Sequence, residues 1–320
     1  MQNKTVVAFI STLFFTQIYS YLLKSGNKYN VSKFDYRPVN NGPVPDYYDW
    51  REHGMVSPVK NQLTCNACWA FCVVAGNSTT LLHAGKTASN DLFKNNSSKS
   101  LNRLAYIKLY EFQQVLQQLY EFHLKIYRNV EETLSEQFLI DCDEDKKGCG
   151  SASIIKTYAD IVTKLGGVLR ESDYYPYASR PLQCRWHPKN KELKLGAPIA
   201  SPGLIPVVGF RRVLPDEEVM AQFVFQYGPL SAAINSASMA RYRGGIDEPT
   251  DEDCNPRGLD HSILIVGYSA YVSKETGKTL PYWIIKNSWG VEWGDYGFYY
   301  LVRGRNACGI ATDVSFAYIN

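Results

Sequence analysis

The chain has 320 residues, 45% of them hydrophobic and 20% charged, with a formal net charge of +3. That length and balance describe an ordinary globular protein with room for one large domain or two lobes around a sizeable core. So small a net charge excludes bulk electrostatics as an argument for nucleic acid or an anionic membrane as partner, so the substrate must be read from a site.

In chain order, residues 1–25 come first. Lys4 precedes the apolar run VVAFISTLFF, the grammar of a signal peptide. The alternative is a membrane anchor, but Thr12, Thr16, Gln17 and Ser20 interrupt the run. A spanning helix needs roughly 20 mostly apolar residues, so no stable membrane insertion is expected. Residues 26–44 are polar and turn-rich and read as a linker or the remnant of a propeptide. Eight cysteines then suit disulfide chemistry in an oxidising compartment. Asn30, Asn77, Asn95 and Asn96 stand in glycan-acceptor triplets.

Residues 45–76 run through a cysteine-rich segment into a helix. From about 80 to 127 the composition changes. KTASNDLFKNNSSKS is loop-like, and from Leu101 to Tyr127 a stripe of Ala105, Leu109, Phe112, Leu116, Leu119, Phe122 and Ile126 predicts an amphipathic helix. That helix either binds a partner or a membrane surface, or packs on its own protein, or lies outside the working part of the chain. LSEQFLIDC and SASIIKTYADIVTKLGG predict two more helices, the second closed at Gly166-Gly167. SILIVGY (262–268), PYWIIKNSW (281–289) and GFYYLVRG (297–304) predict strands: short, β-branched, aromatic and bounded by glycines.

Three blocks carry chemistry. Cys65-Asn66-Ala67-Cys68-Trp69 follows Asp49-Trp50-Arg51 and Gln62; LDHSILIVGY surrounds His261; IIKNSWGVEWGDYGFYY surrounds Asn287. Together, and in this order, they resemble the papain-like cysteine proteases of the cathepsin L and F type over residues 45–76 and 131–320. A free thiol has a pKa near 8.5, so a nucleophilic cysteine needs help from an imidazolium and a helix N-terminus. The resemblance implies Cys68 as nucleophile at the start of a helix and His261 as its partner in a resting ion pair and proton donor to the leaving amine. It implies Asn287 as orienter of the imidazole, with Trp289 shielding that contact, and Gln62 with the Cys68 N–H as oxyanion donors. A rival reading makes Cys65, Cys68 and Cys72 metal ligands, but no fourth ligand stands at a usual spacing, so neither metal nor cofactor is expected.

The resemblance further implies a two-lobed α+β fold. Its helical left lobe spans 45–165, with an insertion at about 80–127, and its right lobe spans 166–320 as an antiparallel β-barrel, the active site lying between them. It implies bridges Cys65–Cys149, Cys142–Cys184 and Cys254–Cys308. Cys72 is left over, as a second redox-active thiol or a small buried side chain. The substrate-contacting positions the resemblance implies are Ala152, Ser153, Ile154, Ala233, Leu259, Ser262, Trp289 and Trp293, with Asp313 at the floor of the pocket for the second residue before the cut (P2). An acid there would accept arginine beside apolar side chains, or would turn to solvent. The implied activity is that of a monomeric, lysosomal or secreted endopeptidase acting on polypeptides and met by cystatin-type inhibitors. The runner-up is a weak or inactive binding protein on the same fold.

Four features depart from the family pattern. Residues 26–44 are too few for the usual inhibitory propeptide, and the stretch near 80–127 is an insertion. Leu63 and Asn66 replace glycines, with Asn66 the better suited to left-handed backbone. Ser151 and Ala152 replace two glycines expected to pair with substrate.

Overall fold

A computed structural model describes residues 35–36, 43–76, 133–142, 148–187, 192–193 and 204–319. The targeting segment 1–25, most of the linker, the amphipathic stripe 101–127 and Asn30, Asn77, Asn95 and Asn96 lie outside the described residues. Among those described, no helix is long and apolar enough to cross a membrane.

Helix α1 is described over 68–76. Helix α2, Glu136–Cys142, is capped by Ser135, whose hydroxyl accepts from the Phe138 N–H at 3.1 Å. Helix α3, Ile154–Asp160, is capped in the same way by Ser153 and continues as a π-turn, Ile161–Leu165. It stops at Gly166, whose φ of +82° only glycine adopts without strain. In α4, Glu217–Tyr227, Asp216 caps the first turn by accepting from the Glu218 and Val219 N–H groups.

The strands are β1 Asp35–Tyr36, β2 Tyr48–Asp49, β3 Gly167–Val168, β4 Trp186–His187, β5 Glu192–Leu193, β6 Ile205–Val213, β7 Leu230–Ile234, β8 Ile246–Asp247, β9 His261–Val272, β10 Thr279–Lys286, β11 Phe298–Val302 and β12 Val314–Ile319. Strands β4 and β5 form a separate pair; the others form one sheet in the order β1-β6-β12-β7-β9-β10-β11-β8, with β2 added on β9 and β3 on β6. The expected antiparallel barrel is not what forms. Closure requires the two end strands to pair with each other. Here β1 and β8 are two-residue segments, each pairing parallel with its single neighbour, β6 or β11. The sheet is therefore open and mixed, and the fold is α+β with a helical region beside it.

Strand β9 is buried along its first eight residues because both faces are covered. Ile263 and Ile265 point into the core shared with α4, along with Phe223, Trp283 and Leu301. Leu264 and Val266 alternate to the other face and meet Ile284. A second core surrounds the helices through Trp69, Phe71, Leu134, Phe138, Ile154 and Tyr158. Gly267 is where β2 closes on β9: a Cβ there would stand 2.4 Å from the Tyr48 carbonyl oxygen.

Candidate active site

The site grows from the ends of three elements: the start of α1, the start of β9 and the segment leaving β10. The Cys65–Cys149 bridge ties the residues just before α1 to a segment 84 positions away. The Trp69 indole N–H donates to the Gly150 carbonyl at 3.0 Å and fixes the same junction. Cys68 is the first residue of α1, where unpaired N–H groups favour a sulfur anion. Its thiol lies among hydrogen-bonding groups of Ser262 and Trp69.

His261 opens β9, directly before Ser262. The antiparallel register sets Lys286 against Leu264, so residues just beyond β10 return beside the start of β9. His261 Nε2 and Asn287 Oδ1 are 2.8 Å apart in a buried contact. The amide oxygen only accepts, so Nε2 donates and Nδ1 is the ring's basic nitrogen. The Trp289 ring lies over this pair, 4.9 Å from the imidazole, and meets Trp293 edge-on at 5.1 Å. Cys68 and His261 are 9% and 6% exposed. Burial pushes the Cys68 thiol up, against hydrogen bonds from Ser262 and Trp69. Burial pushes the imidazolium down, against the bond to Asn287. Both shifts share one cause, desolvation of the charged form.

Gln62 is held on every side. Its N–H donates to the Ser288 carbonyl at 2.8 Å, and its own carbonyl accepts from the Tyr177 hydroxyl at 2.5 Å. In the side chain, Oε1 accepts from the Ser288 hydroxyl at 2.7 Å and Nε2 donates to the Cys65 carbonyl at 3.2 Å. The next residue, Leu63, has φ +53° and is 63% exposed. The left-handed residue in this loop is thus Leu63, while Asn66, the better candidate on sequence grounds, is not left-handed. The Asn61 carboxamide oxygen, accepting from the Leu63 N–H at 2.8 Å, holds the turn.

The positions assigned to substrate contact divide. Ala152 and Ala233 are half-buried, Ser153 is exposed, and Ser262 is buried beside Cys68. Ile154 is closed into the helical core at 2% exposure. Around residues 308–313, Leu259 abuts Gly309, and the Asp313 carbonyl accepts from the Ala233 N–H at 3.0 Å. The Asp313 carboxylate lies 3.2 Å from the Arg212 guanidinium, an ion pair without the direction of a hydrogen bond. The remaining bridges are Cys142–Cys184 and Cys254–Cys308, and Cys68 and Cys72 are free. With Cys65 committed to a bridge, the three-thiol metal reading loses a ligand; among the described residues no cluster of three or more His, Cys, Asp or Glu could hold an ion.

Sequence reasoning missed two groups beside the site. Lys60 donates to the Glu136 and Glu171 carboxylates at 2.8 and 3.0 Å. Lys286, 5% exposed, donates to the Ser57 hydroxyl at 2.9 Å beside a cavity of about 20 Å³ lined by Lys60, Cys72, Glu136 and Asn287. A lysine ending the apolar run PYWII was the visible signal for the second.

Residues 44–96 and 117–318 match the family model described as papain family cysteine protease, and the chain belongs to that family. The unmatched interval falls inside the stretch that reads as an insertion. Among curated relatives, the chain is similar to cathepsin F of Drosophila melanogaster, 34% identical over 86% of this chain and 36% of that protein. It is likewise similar to cysteine proteinase 1 of Dictyostelium discoideum, 34% identical over 85% of this chain and 65% of that protein. The chain thus spans less than two thirds of the length of these relatives. Among solved structures it resembles digestive procathepsin L 3 of Tenebrio molitor larval midgut, with a TM-score of 0.62 and 26% identity over 90% of this chain and 74% of that one. It also resembles bromelain of Ananas comosus in complex with the E64 inhibitor, with a TM-score of 0.59 and 25% identity over 87% of this chain and all of that one.

Proposed function

We propose that this chain is a cysteine endopeptidase that hydrolyses polypeptides through a thioester on Cys68. The observation that carries this reading is the His261–Asn287 bond under Trp289, with a free thiol at a helix start among the hydrogen-bonding groups of Ser262, the residue next to His261. In the proposed sequence the Cys68 thiol transfers its proton to His261 Nδ1 as the sulfur attacks the peptide carbonyl. The Gln62 Nε2 hydrogen not given to Cys65 and the Cys68 N–H receive the oxyanion. His261 then protonates the leaving amine, and water hydrolyses the thioester with His261 as base. Asn287 occupies Nε2 and so leaves Nδ1 as the nitrogen that takes the proton.

The same reading divides the chain into a helical lobe, 45–165, and a sheet lobe, 166–320. It places the enzyme in lysosomes or outside the cell as a monomer open to cystatin-type inhibitors. At P2 it assigns an apolar pocket with Asp313 at its floor, where an incoming arginine competes with Arg212 for the carboxylate. Arg-Arg and Phe-Arg reporters compared between pH 5 and 7 test this, and no measurable Arg-Arg cleavage retires arginine acceptance. The runner-up is a catalytically weak binding protein on the same fold, a reading the stretch near 80–127 supports. Labelling by an epoxide that alkylates activated thiols separates the two. The enzyme takes up one equivalent at Cys68 and the Cys68→Ala variant none; an unlabelled chain that hydrolyses no reporter fits the binding protein.

A further inference from the structure

Lys60 lies two residues before Gln62, outside the reacting centre, yet its three ammonium hydrogens face three acceptors: Glu136 Oε2 at 2.8 Å, Glu171 Oε2 at 3.0 Å and the Leu134 carbonyl at 3.4 Å. Those acceptors are braced in turn. Glu136 is 3% exposed at the start of α2. Glu171 Oε2 also accepts from the Thr133 hydroxyl at 2.9 Å, and the Glu171 N–H donates to the Thr133 carbonyl at 2.8 Å. The backbone of 60–62 is meanwhile fastened to the segment carrying Trp289. The Gly290 N–H donates to the Lys60 carbonyl at 3.1 Å, Asn61 bridges Trp289 in antiparallel fashion, and the Gln62 N–H donates to Ser288.

A buried carboxylate meeting an ammonium adds little net stability, because desolvation offsets the attraction. Burial indeed pushes the Glu136 carboxyl up against the opposing effect of Lys60. What the pair fixes is position: a post seated on the buried Glu136 sets where the segment bearing Gln62 lies along 288–290. We propose that Lys60, with Glu136 and Glu171, is a positioning residue that sets the height of the Gln62 side-chain donor for the oxyanion, a role that rests on the endopeptidase reading. Small errors there are expensive, since about 1 Å of misplacement can lower a rate about 100-fold.

The test uses the full chain carrying Lys60→Met, Lys60→Arg or Glu171→Gln, each alone and combined with Gln62→Ala. Reporter hydrolysis and amide hydrogen exchange over 60–62 and 288–290 are measured together. Loss of an oxyanion donor outright costs about 100- to 1000-fold in kcat, and misplacing it should cost part of that. Lys60→Met is expected to lower kcat about tenfold with KM within about twofold, Lys60→Arg to restore most of the loss, and exchange at Gln62 and Gly290 to rise. In the Gln62→Ala background the same change should move kcat less than about twofold, because the donor it positions is gone. An equal kcat loss in both backgrounds, or a raised KM with unchanged kcat, overturns the proposal. Should Lys60→Met lose its melting transition, Glu171→Gln at the rim carries the test; an effect that persists without Gln62 overturns the proposal there too. If the unsubstituted chain hydrolyses no reporter, the endopeptidase reading fails, and unchanged exchange in the variants overturns the clamp separately.

Discussion

Replacing Lys286 by methionine should stabilise the protein in acid and lose that advantage in base. The ammonium ends β10 almost wholly out of water. Its one described hydrogen bond reaches Ser57, and the titratable groups facing it are Glu136, Lys60 and Cys72. Burial outweighs the attraction of Glu136 and brings its pKa from 10.5 down to about 7. At about 1.4 kcal/mol per pH unit, that gap corresponds to about 5 kcal/mol of penalty for holding the charged side chain in the folded state. Below about pH 7 both folded and unfolded chains are protonated and the penalty is whole. As pH rises from about 7 to 10.5 the unfolded chain binds more protons than the folded one, so folding stability grows and the penalty fades. Methionine fills a similar volume without the charge, and Ser57, half-buried, can turn to water. Urea denaturation of both proteins at pH 6 and pH 9 reads the difference. Lys286→Met should lead at pH 6, with the lead shrinking by about 3 kcal/mol by pH 9, since about two pH units of the window are then crossed. Parallel stability curves for the two proteins would refute the reasoning, because the lysine would then titrate alike folded and unfolded.

Leu63→Gly should raise the urea midpoint. Left-handed backbone costs a leucine about 1–2 kcal/mol, and glycine gives back about 0.5–1 in chain entropy, leaving a net gain of about 0.5–1 kcal/mol; a lower midpoint would show that the exposed leucine makes contacts worth more than the strain. Thiol titration under denaturing, non-reducing conditions should find two thiols per chain, Cys68 and Cys72, and zero or four would overturn the pairing. In the native protein only Cys68 should react at a useful rate, since Cys72 is buried with its thiol pushed up to about 12; labelling of Cys72 in the folded Cys68→Ala variant would contradict this.

The parts of the fold that local chemistry dictates were readable in the chain. The glycine closing α3 and the β-branched, aromatic strands around His261 and Asn287 follow from helix-stop and strand composition, and the structure has a helix end at Gly166 and strands over 261–272 and 279–286, the second stopping just short of Asn287. The open sheet was not readable, because strand content fixes neither which strands become neighbours nor whether the end strands meet. Lys60 and Glu136 are 76 positions apart, and Arg212 and Asp313 about a hundred, so no periodicity joins them. Leu63 shows the limit of propensity: asparagine is the better left-handed residue in general, but the Asn61 side chain stabilises the turn two residues on, at Leu63, instead.

The Cys65–Cys149 bridge has a topological effect on any later processing of the chain. It closes a covalent ring that contains residues 66–148, including the whole interval that the family model leaves unmatched. A single nick anywhere in that ring frees no fragment. The amino-terminal piece stays attached through sulfur to the piece carrying His261 and Asn287, giving a two-chain molecule that separates on a gel only after reduction.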